Sequence, residues 1–488
     1  MSRPASPVIC LEFNELVPSL MDKFIAQGKL PHFQRLRDQS IVQVSDAEAE
    51  GEWLNPWVQW VTIHSGLSTQ DHGIFRLADA HKLQSPAIWD VLSEQGQTVW
   101  ICGSMNPWYR DNLKGHVLPD PWCQQVSPYP RGEFDAFYKF VQRNVQEYAA
   151  SKVPVTKQDI ARFLRFLVSH GFRLSSGMKI IRQLVREKTG NHRWRRASIL
   201  DLLQYDIFEW YYKKHRPAFS TFFINSTAHY QHKFWRNMEP EAFTNQPSDA
   251  EQRDYARAIE FGYKQMDQIV GRVLKLDSQA TIMLLTGLGQ QPYTKMEATG
   301  GKRVFRLHGE SVLSQKLDIP SPFRYEPIMA DEFFLRFENE EDATAAANRL
   351  RAFELPSGKE AFTAQQAGKE LICQCRCREV PASDALIRNT ESGETVPFSD
   401  VFYRVDCIKS GYHHPDGIWW IRLPEREHRV VEQKVPLTSV APTILDLLNV
   451  DQPQFMRGRS CLRGEDREPP VVPMSSQVES SAQPEMTL

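Results

Sequence analysis

The sequence predicts an α/β protein: a doubly wound, mostly parallel sheet interrupted by a helical cap insertion and by a small α+β excursion. Three observations predict it. Apolar runs of strand length recur at 8–11, 99–102, 219–224 and 281–285. Helical signals lie between them, an alternation that yields parallel strands covered by helices on both faces. From 154 to 216 the reading turns helical, with Phe163, Phe166, Leu167 and then Ile181, Leu184, Val185 at i, i+3, i+4 spacing. From about 320 to 404 an alanine-rich helix at 342–350 gives way to β-branched sequence punctuated by turns such as Thr390-Glu391-Ser392-Gly393.

At 488 residues the chain exceeds the usual size of one domain. The expected division is an N-terminal part of the core (1–124), a helical cap (125–217), continuation of the core (218–319), the α+β excursion (320–404) and the C-terminal core (405–462). A tail from 463 to 488, rich in Pro and Ser, has few groups to bury and is expected to be disordered. With 58 Lys and Arg against 60 Asp and Glu, the overall charge gives no reason to expect a nucleic-acid partner, so any preference for anions must be local. The cap concentrates Arg162, Arg165, Arg173, Lys179, Arg182, Arg186, Lys188, Arg193, Arg195 and Arg196. That pattern fits either a positive lid over an acidic substrate or the solvated face of amphipathic helices.

The start of the chain lacks the apolar core of a signal peptide, and no run approaches the roughly 18 to 20 apolar residues needed to span a bilayer. The expected location is therefore the cytoplasm, where the eight cysteines would be reduced thiols. Cys373, Cys375 and Cys377 share one strand face at period two. They could bind a soft metal or be buried and inert, and their spacing differs from the C-x-x-C of common zinc sites.

Five segments, in order, carry a resemblance. Val8-Ile9-Cys10-Leu11-Glu12-Phe13-Asn14-Glu15 is followed by Gly28-Lys29-Leu30-Pro31-His32-Phe33. Trp60-Val61-Thr62-Ile63-His64-Ser65-Gly66 continues to Asp71-His72-Gly73-Ile74. Ala228 precedes His232 by four residues, and Met238-Glu239-Pro240 comes next. Then come Thr286-Gly287-Leu288-Gly289 and Gly411-Tyr412-His413-His414-Pro415-Asp416-Gly417. This set resembles the type I phosphodiesterase/nucleotide pyrophosphatases of the alkaline phosphatase superfamily, and implies an alkaline-phosphatase-like version of the doubly wound fold.

The resemblance also implies six ligand positions for two metal ions and a hydroxyl nucleophile, and most of these positions are altered. Asn14-Glu15 stands where the family has Asp-Gly, Ala228 where it has aspartate, and Gly287 and Leu288 where it has Asp-His. Counting back from Gly66 to the nucleophile's place lands on Pro56. His232 and His413 match unaltered. A two-zinc phosphatase mechanism is therefore not expected.

One divalent metal ion remains conceivable on His232 and His413, with a third ligand from His229, His414 or Asp416. Glu12, Asn14 and Glu15 cluster at the end of the first strand, where open α/β sheets place their pockets. Alternation puts Glu12 and Asn14 on one face and Glu15 on another. One of these carboxyls could act as general base, or Asn14 could cap a helix and Glu15 be solvated. His229 and His414 are further candidates for acid–base work, His229 being expected on a strand-to-helix turn. Thr62 and Ser65 are the hydroxyls closest to the vacant nucleophile position, and both fit structural hydrogen bonding.

Glu52, Asn55, Trp57 and Asp416 are candidate substrate-binding residues, the carboxylates and tryptophans resembling the lining of a sugar site. Two functions follow. The first is a divergent hydrolase or transferase acting on a phosphorylated, sulfated or glycosylated small molecule. The second is an inactive relative that binds an anionic ligand or a protein partner.

Overall fold

The computed structural model describes residues 5–77, 79–123, 125–147, 156–320, 322–328, 331–405 and 408–463. The tail expected to be disordered lies, from 464 onward, outside the described residues.

The core strands are β1 (Val8–Phe13), β2 (Ile41–Asp46), β3 (Val99–Cys102), β4 (Gly115–Leu118), β5 (Phe219–Ile224) and β6 (Thr281–Leu285). A short ribbon pairs β7 (Gly289–Pro292) with β8 (Gly411–His414), and β9 (Asp416–Arg422) returns to the main sheet. The nine-stranded sheet has the order β2-β9-β6-β1-β5-β3-β4, with the two short strands Arg429–Val430 and Val435–Pro436 both paired to β2. β6, β1, β5, β3 and β4 are mutually parallel, while β9 runs antiparallel between β6 and β2.

Burial on both faces explains the continuous apolar runs that make these strands legible. All six residues of β1 are buried. Ile9, Leu11 and Phe13 join one hydrophobic cluster, Val8 and Cys10 the other. On the face of Val8 and Cys10 lies α1 (Pro56–Ser65). The opposite face is covered by α4 (Ala197–His215), α5 (Ser226–Met238) and α6 (Ala258–Val273), while α2 (Lys157–Ser169) and α3 (Leu174–Arg186) lie further out in the cap. A third cluster, drawn from Phe305 through Phe402, fills a four-stranded antiparallel sheet backed by the helix Glu340–Arg351. Cys373, Cys375 and Cys377 are buried in that third cluster, where burial pushes each thiol above its ordinary range, the state of an inert side chain.

Three core strands, β2, β4 and β9, lie outside the apolar runs that the sequence marks as strands. Trp419 and Trp420 of β9 point to opposite faces and enter different clusters, so the strand is wedged into the sheet by packing on both sides. No helix among the described residues is long and apolar enough to cross a membrane.

Gly417 marks how tightly β9 is inserted. A Cβ there would stand 2.5 Å from Thr286 Oγ1 and 2.6 Å from Ser45 Oγ. Gly417→Ala is expected to destabilise the protein by about 1–3 kcal/mol, the usual cost of overpacking. The urea midpoint should fall at unchanged slope, and an unchanged midpoint would show that β9 can shift to make room.

Candidate functional site

The parallel strands end together. β1 leads to Asn14 and Glu15, β5 to Asn225 and α5, and β6 to Thr286, while the antiparallel β9 begins at the same edge and brings β8 with it. Asn14 follows the regular strand path, its N–H donating to Ile224 O at 2.9 Å. Glu15 does not, because its backbone is left-handed (φ 58°). This conformation costs a residue with a Cβ about 1–2 kcal/mol. It turns the Glu15 side chain off the strand's alternation and beneath α5 and β8. The Glu15 carbonyl is satisfied by Gln231 Nε2 at 2.7 Å.

There Glu15 meets the two histidines. Its Oε2 lies 3.3 Å from His232 Nε2 and 3.7 Å from His413 Nε2. One ligand atom from each of the three residues falls within 4.8 Å of the others, the single such carboxylate, thiol or imidazole group among the described residues. Gln290 Nε2 donates to Glu15 Oε2 at 2.6 Å and also to Ala228 O, and Asn14 Nδ2 donates to Glu15 Oε1 at 3.1 Å. The pairing of β7 with β8 sets His413 opposite Gln290.

Electrostatics fix the protonation states. Burial alone would raise the Glu15 carboxyl, yet the His232 and His413 imidazoles and the bonds from His232 and Gln290 bring it down to about 2. Burial pushes His413 down to about 3, so at neutral pH it is an uncharged imidazole. His232 Nδ1 lies 2.9 Å from Gly411 O, a carbonyl that can only accept, so Nδ1 carries a proton and Nε2 is the nitrogen turned toward the carboxylate. The motif resemblance implies a metal, and these three residues fit one: a buried carboxylate oxygen and two imidazole nitrogens are a donor set that a divalent transition metal takes.

The other sequence candidates are placed differently. Glu12 faces away from Glu15, its Oε1 2.8 Å from His64 Nε2, with both side chains buried. Asn14 caps no helix. Its amide donates to Asn225 Oδ1 at 2.8 Å and accepts from Trp60 Nε1 at 2.9 Å. His229 lies within α5 rather than on a turn, exposed, with Lys233, His232 and Arg306 as its charged neighbours.

The residue that joins His232 and His413 in the cluster is Glu15, whereas His229, His414 and Asp416 are not in it. His414 Nδ1 accepts from the Asp416 N–H at 3.1 Å, and Asp416 pairs with Lys434 at 2.6 Å. Of the proposed ligand-lining residues, Asn55 is bonded to the Glu52 carbonyl, Glu52 is exposed, and Trp57 Nε1 donates to Phe75 O at 3.1 Å. The tryptophans form no open aromatic platform. Trp60 is in the core and Trp53 packs edge-on to Phe75. Gln290, Gln231, Asn225 and His64 carried no sequence signal for these roles, because each acts through a partner far away in the chain.

Pro56, the residue at which the motif count places the nucleophile, occupies the first turn of α1. Neither neighbouring hydroxyl replaces it. Ser65 Oγ donates to Val61 O at 2.7 Å. Thr62 Oγ1 lies 3.1 Å from His72 Nε2, but His72 Nδ1 accepts from the Ile74 N–H, so in the neutral ring Nε2 carries the proton and cannot act as a base toward Thr62.

No family model and no curated protein matches the sequence. Among solved structures, the chain is similar to phosphonoacetate hydrolase from Sinorhizobium meliloti 1021 in complex with phosphonoformate. The identity is 12%, over 92% of this chain and 96% of that chain, at a TM-score of 0.42. It is also similar to murine ectonucleotide pyrophosphatase/phosphodiesterase 5 (10% identity, 91% and 95% covered, TM-score 0.39) and to its human counterpart (10%, 92% and 96%, 0.39). Identities this low say nothing of chemistry.

The Thr62–His72 pair generates a pH dependence. Burial lowers His72 from 6.5 to about 4. Between those values the unfolded chain takes up a proton that the native state refuses, so stability is lost as pH falls from about 6.5 to about 4, by up to ~1.4 kcal/mol per pH unit. His72→Gln, which keeps a donor for Thr62, should flatten that part of the profile in thermal melts. A variant profile parallel to wild type would assign the acid lability elsewhere.

Proposed function

We propose that the chain is a divergent metal-dependent hydrolase or transferase that acts on a small phosphorylated or sulfated molecule through one divalent cation held by Glu15, His232 and His413. The observation that carries this reading is the convergence of the Glu15 carboxylate with Nε2 of His232 and of His413, one ligand atom from each lying within 4.8 Å of the others. The order of the five sequence motifs supports the same reading.

A cation bound there would supply Lewis-acid stabilisation of negative charge developing on a substrate oxygen. The protein supplies the rest. Gln290 and Asn14 hold both Glu15 oxygens and fix the carboxylate's orientation. Lys233 and Arg306 beside His229, and Lys409 near His413, set a positive field that favours an anionic ligand. His229 lies three residues before His232 on the same side of α5, and desolvation, with Lys233 beside it, holds its pKa well below the ordinary histidine range, so it stays an uncharged imidazole that can hydrogen-bond a ligand but is a weak base toward an attacking water. Neither Thr62 nor Ser65 is poised for attack, which favours water as the nucleophile. It equally favours a second reading, ligand binding without turnover.

Mass-spectrometric metal analysis of untagged protein should find about one divalent transition metal per chain. Glu15→Gln, His232→Ala and His413→Ala should lose it, whereas His414→Ala and Asp416→Asn should keep it. Metal retained in Glu15→Gln would sink this ligand set. Metal-loaded protein would then be offered phosphomonoesters, phosphodiesters, phosphonates and sulfate esters. Turnover abolished by Glu15→Gln establishes the enzyme, and stoichiometric metal with no turnover of any of them selects the binding reading.

Gln290→Leu leaves all three ligands in place but removes the donor that orients Glu15. Its metal affinity should fall by about 10–100-fold, the usual effect of removing such a support, as measured by competition with a chromogenic chelator.

A further inference from the structure

The geometry points to an anionic lipid surface as the partner of the cap, and we propose that α2 and α3 dock this chain peripherally on such membranes. α2 buries Phe163, Phe166 and Leu167 and turns Ile160, Leu164 and Val168 outward. In α3 the usual arrangement is inverted. Its buried residues are Ser176 and Gln183, while Leu174, Met178, Ile181, Leu184 and Val185 are exposed, Leu174 at 82% and Ile181 at 62%. The inward polar face is built rather than incidental, since Gln183 Nε2 donates to His192 O at 2.7 Å and to Glu187 Oε1 at 3.0 Å. Eight large apolar side chains on two consecutive helices thus face solvent, far from the scattered exposure normal for a surface.

Charge identifies the occupant. Between 157 and 196 there are eleven Lys and Arg against two Asp and Glu, in a chain whose net charge is −2. Both acids are already engaged, Asp159 with Arg143 and Glu187 with Arg196. Among the described residues no carboxylate pairs with Arg162, Arg165, Arg182, Arg186 or Lys188, all exposed beside the apolar positions. Apolar side chains flanked by unpaired cations are what a helix needs to lie in the interface of an anionic bilayer. A second copy of the same face would bring like charges together, which opposes self-association. Neither helix is long and apolar enough to cross the membrane, so the docking is peripheral.

The test is co-sedimentation of the full chain with vesicles of phosphatidylcholine, alone or mixed with phosphatidylglycerol, alongside light scattering for its oligomeric state. Wild type should sediment with the mixed vesicles and far less with phosphatidylcholine alone. Arg182→Gln/Arg186→Gln should lower the partition more than about tenfold, at about fivefold per charge removed. Leu164→Glu/Ile181→Glu should lower it at least as much. These positions are exposed, so thermal melts of both variants should match wild type, and His232→Ala should bind vesicles normally. The proposal is overturned if wild type sediments with neither vesicle, if the variants sediment as well as wild type, or if wild type is a dimer that Leu164→Glu/Ile181→Glu dissociates without any vesicle binding.

Discussion

The site depends on where one carboxylate is allowed to go. β1 ends in Asn14-Glu15, and because Glu15 takes a left-handed backbone, its side chain leaves the strand's alternation and reaches His232 and His413. Asn14, at the strand position, is neutral, and the carboxylate stands one residue further on, at the turn position, beside the two imidazoles. The conformational cost of a non-glycine residue at that turn is offset by bonds to its carbonyl and to both carboxylate oxygens.

On the Asn14 side of the strand end the space is closed by packing. The Asn14 amide is held by Asn225 and Trp60 in neutral hydrogen bonds. Leu288 is buried in the cluster that contains Trp60 and Ile63, and Gly287 lies against α1, where a Cβ would approach Gln59 Cβ to 3.0 Å. Deeper under the same helix, Glu12 and His64 form a buried pair that ties α1 to β1. α1 therefore fills the space beside Asn14 with apolar contacts and close backbone approach. The Glu15 cluster keeps its donors oriented.

The cap shows a different use of the same amphipathic logic. Helical periodicity at 154–216 read naturally as helices with an apolar face toward the core. α2 follows that rule only in part, and α3 reverses it. Sequence periodicity reports that a helix has an apolar face. It does not report which side the rest of the molecule occupies.

The sequence by itself determined the parallel core. Strands buried on both faces must be apolar throughout, and the runs at β1, β3, β5 and β6 showed this directly. It also showed that Asn14, Pro56, Ala228, Gly287 and Leu288 carry no carboxylate, imidazole or hydroxyl, because chemistry absent from a side chain is absent in any fold. Only the tertiary structure decided which groups converge. The choice of Glu15 over His229, His414 or Asp416 rests on a backbone φ and on the pairing of β7 with β8, which brings Gln290 and His413 to a residue about 275 or more positions earlier in the chain. Likewise, His72 was read as part of a motif, but its inability to activate Thr62 follows from the Ile74 N–H that occupies its other nitrogen. Local sequence fixes which groups exist and the period at which they repeat. Proton placement, orientation and convergence depend on partners supplied by distant strands, and those are set only when the sheet closes.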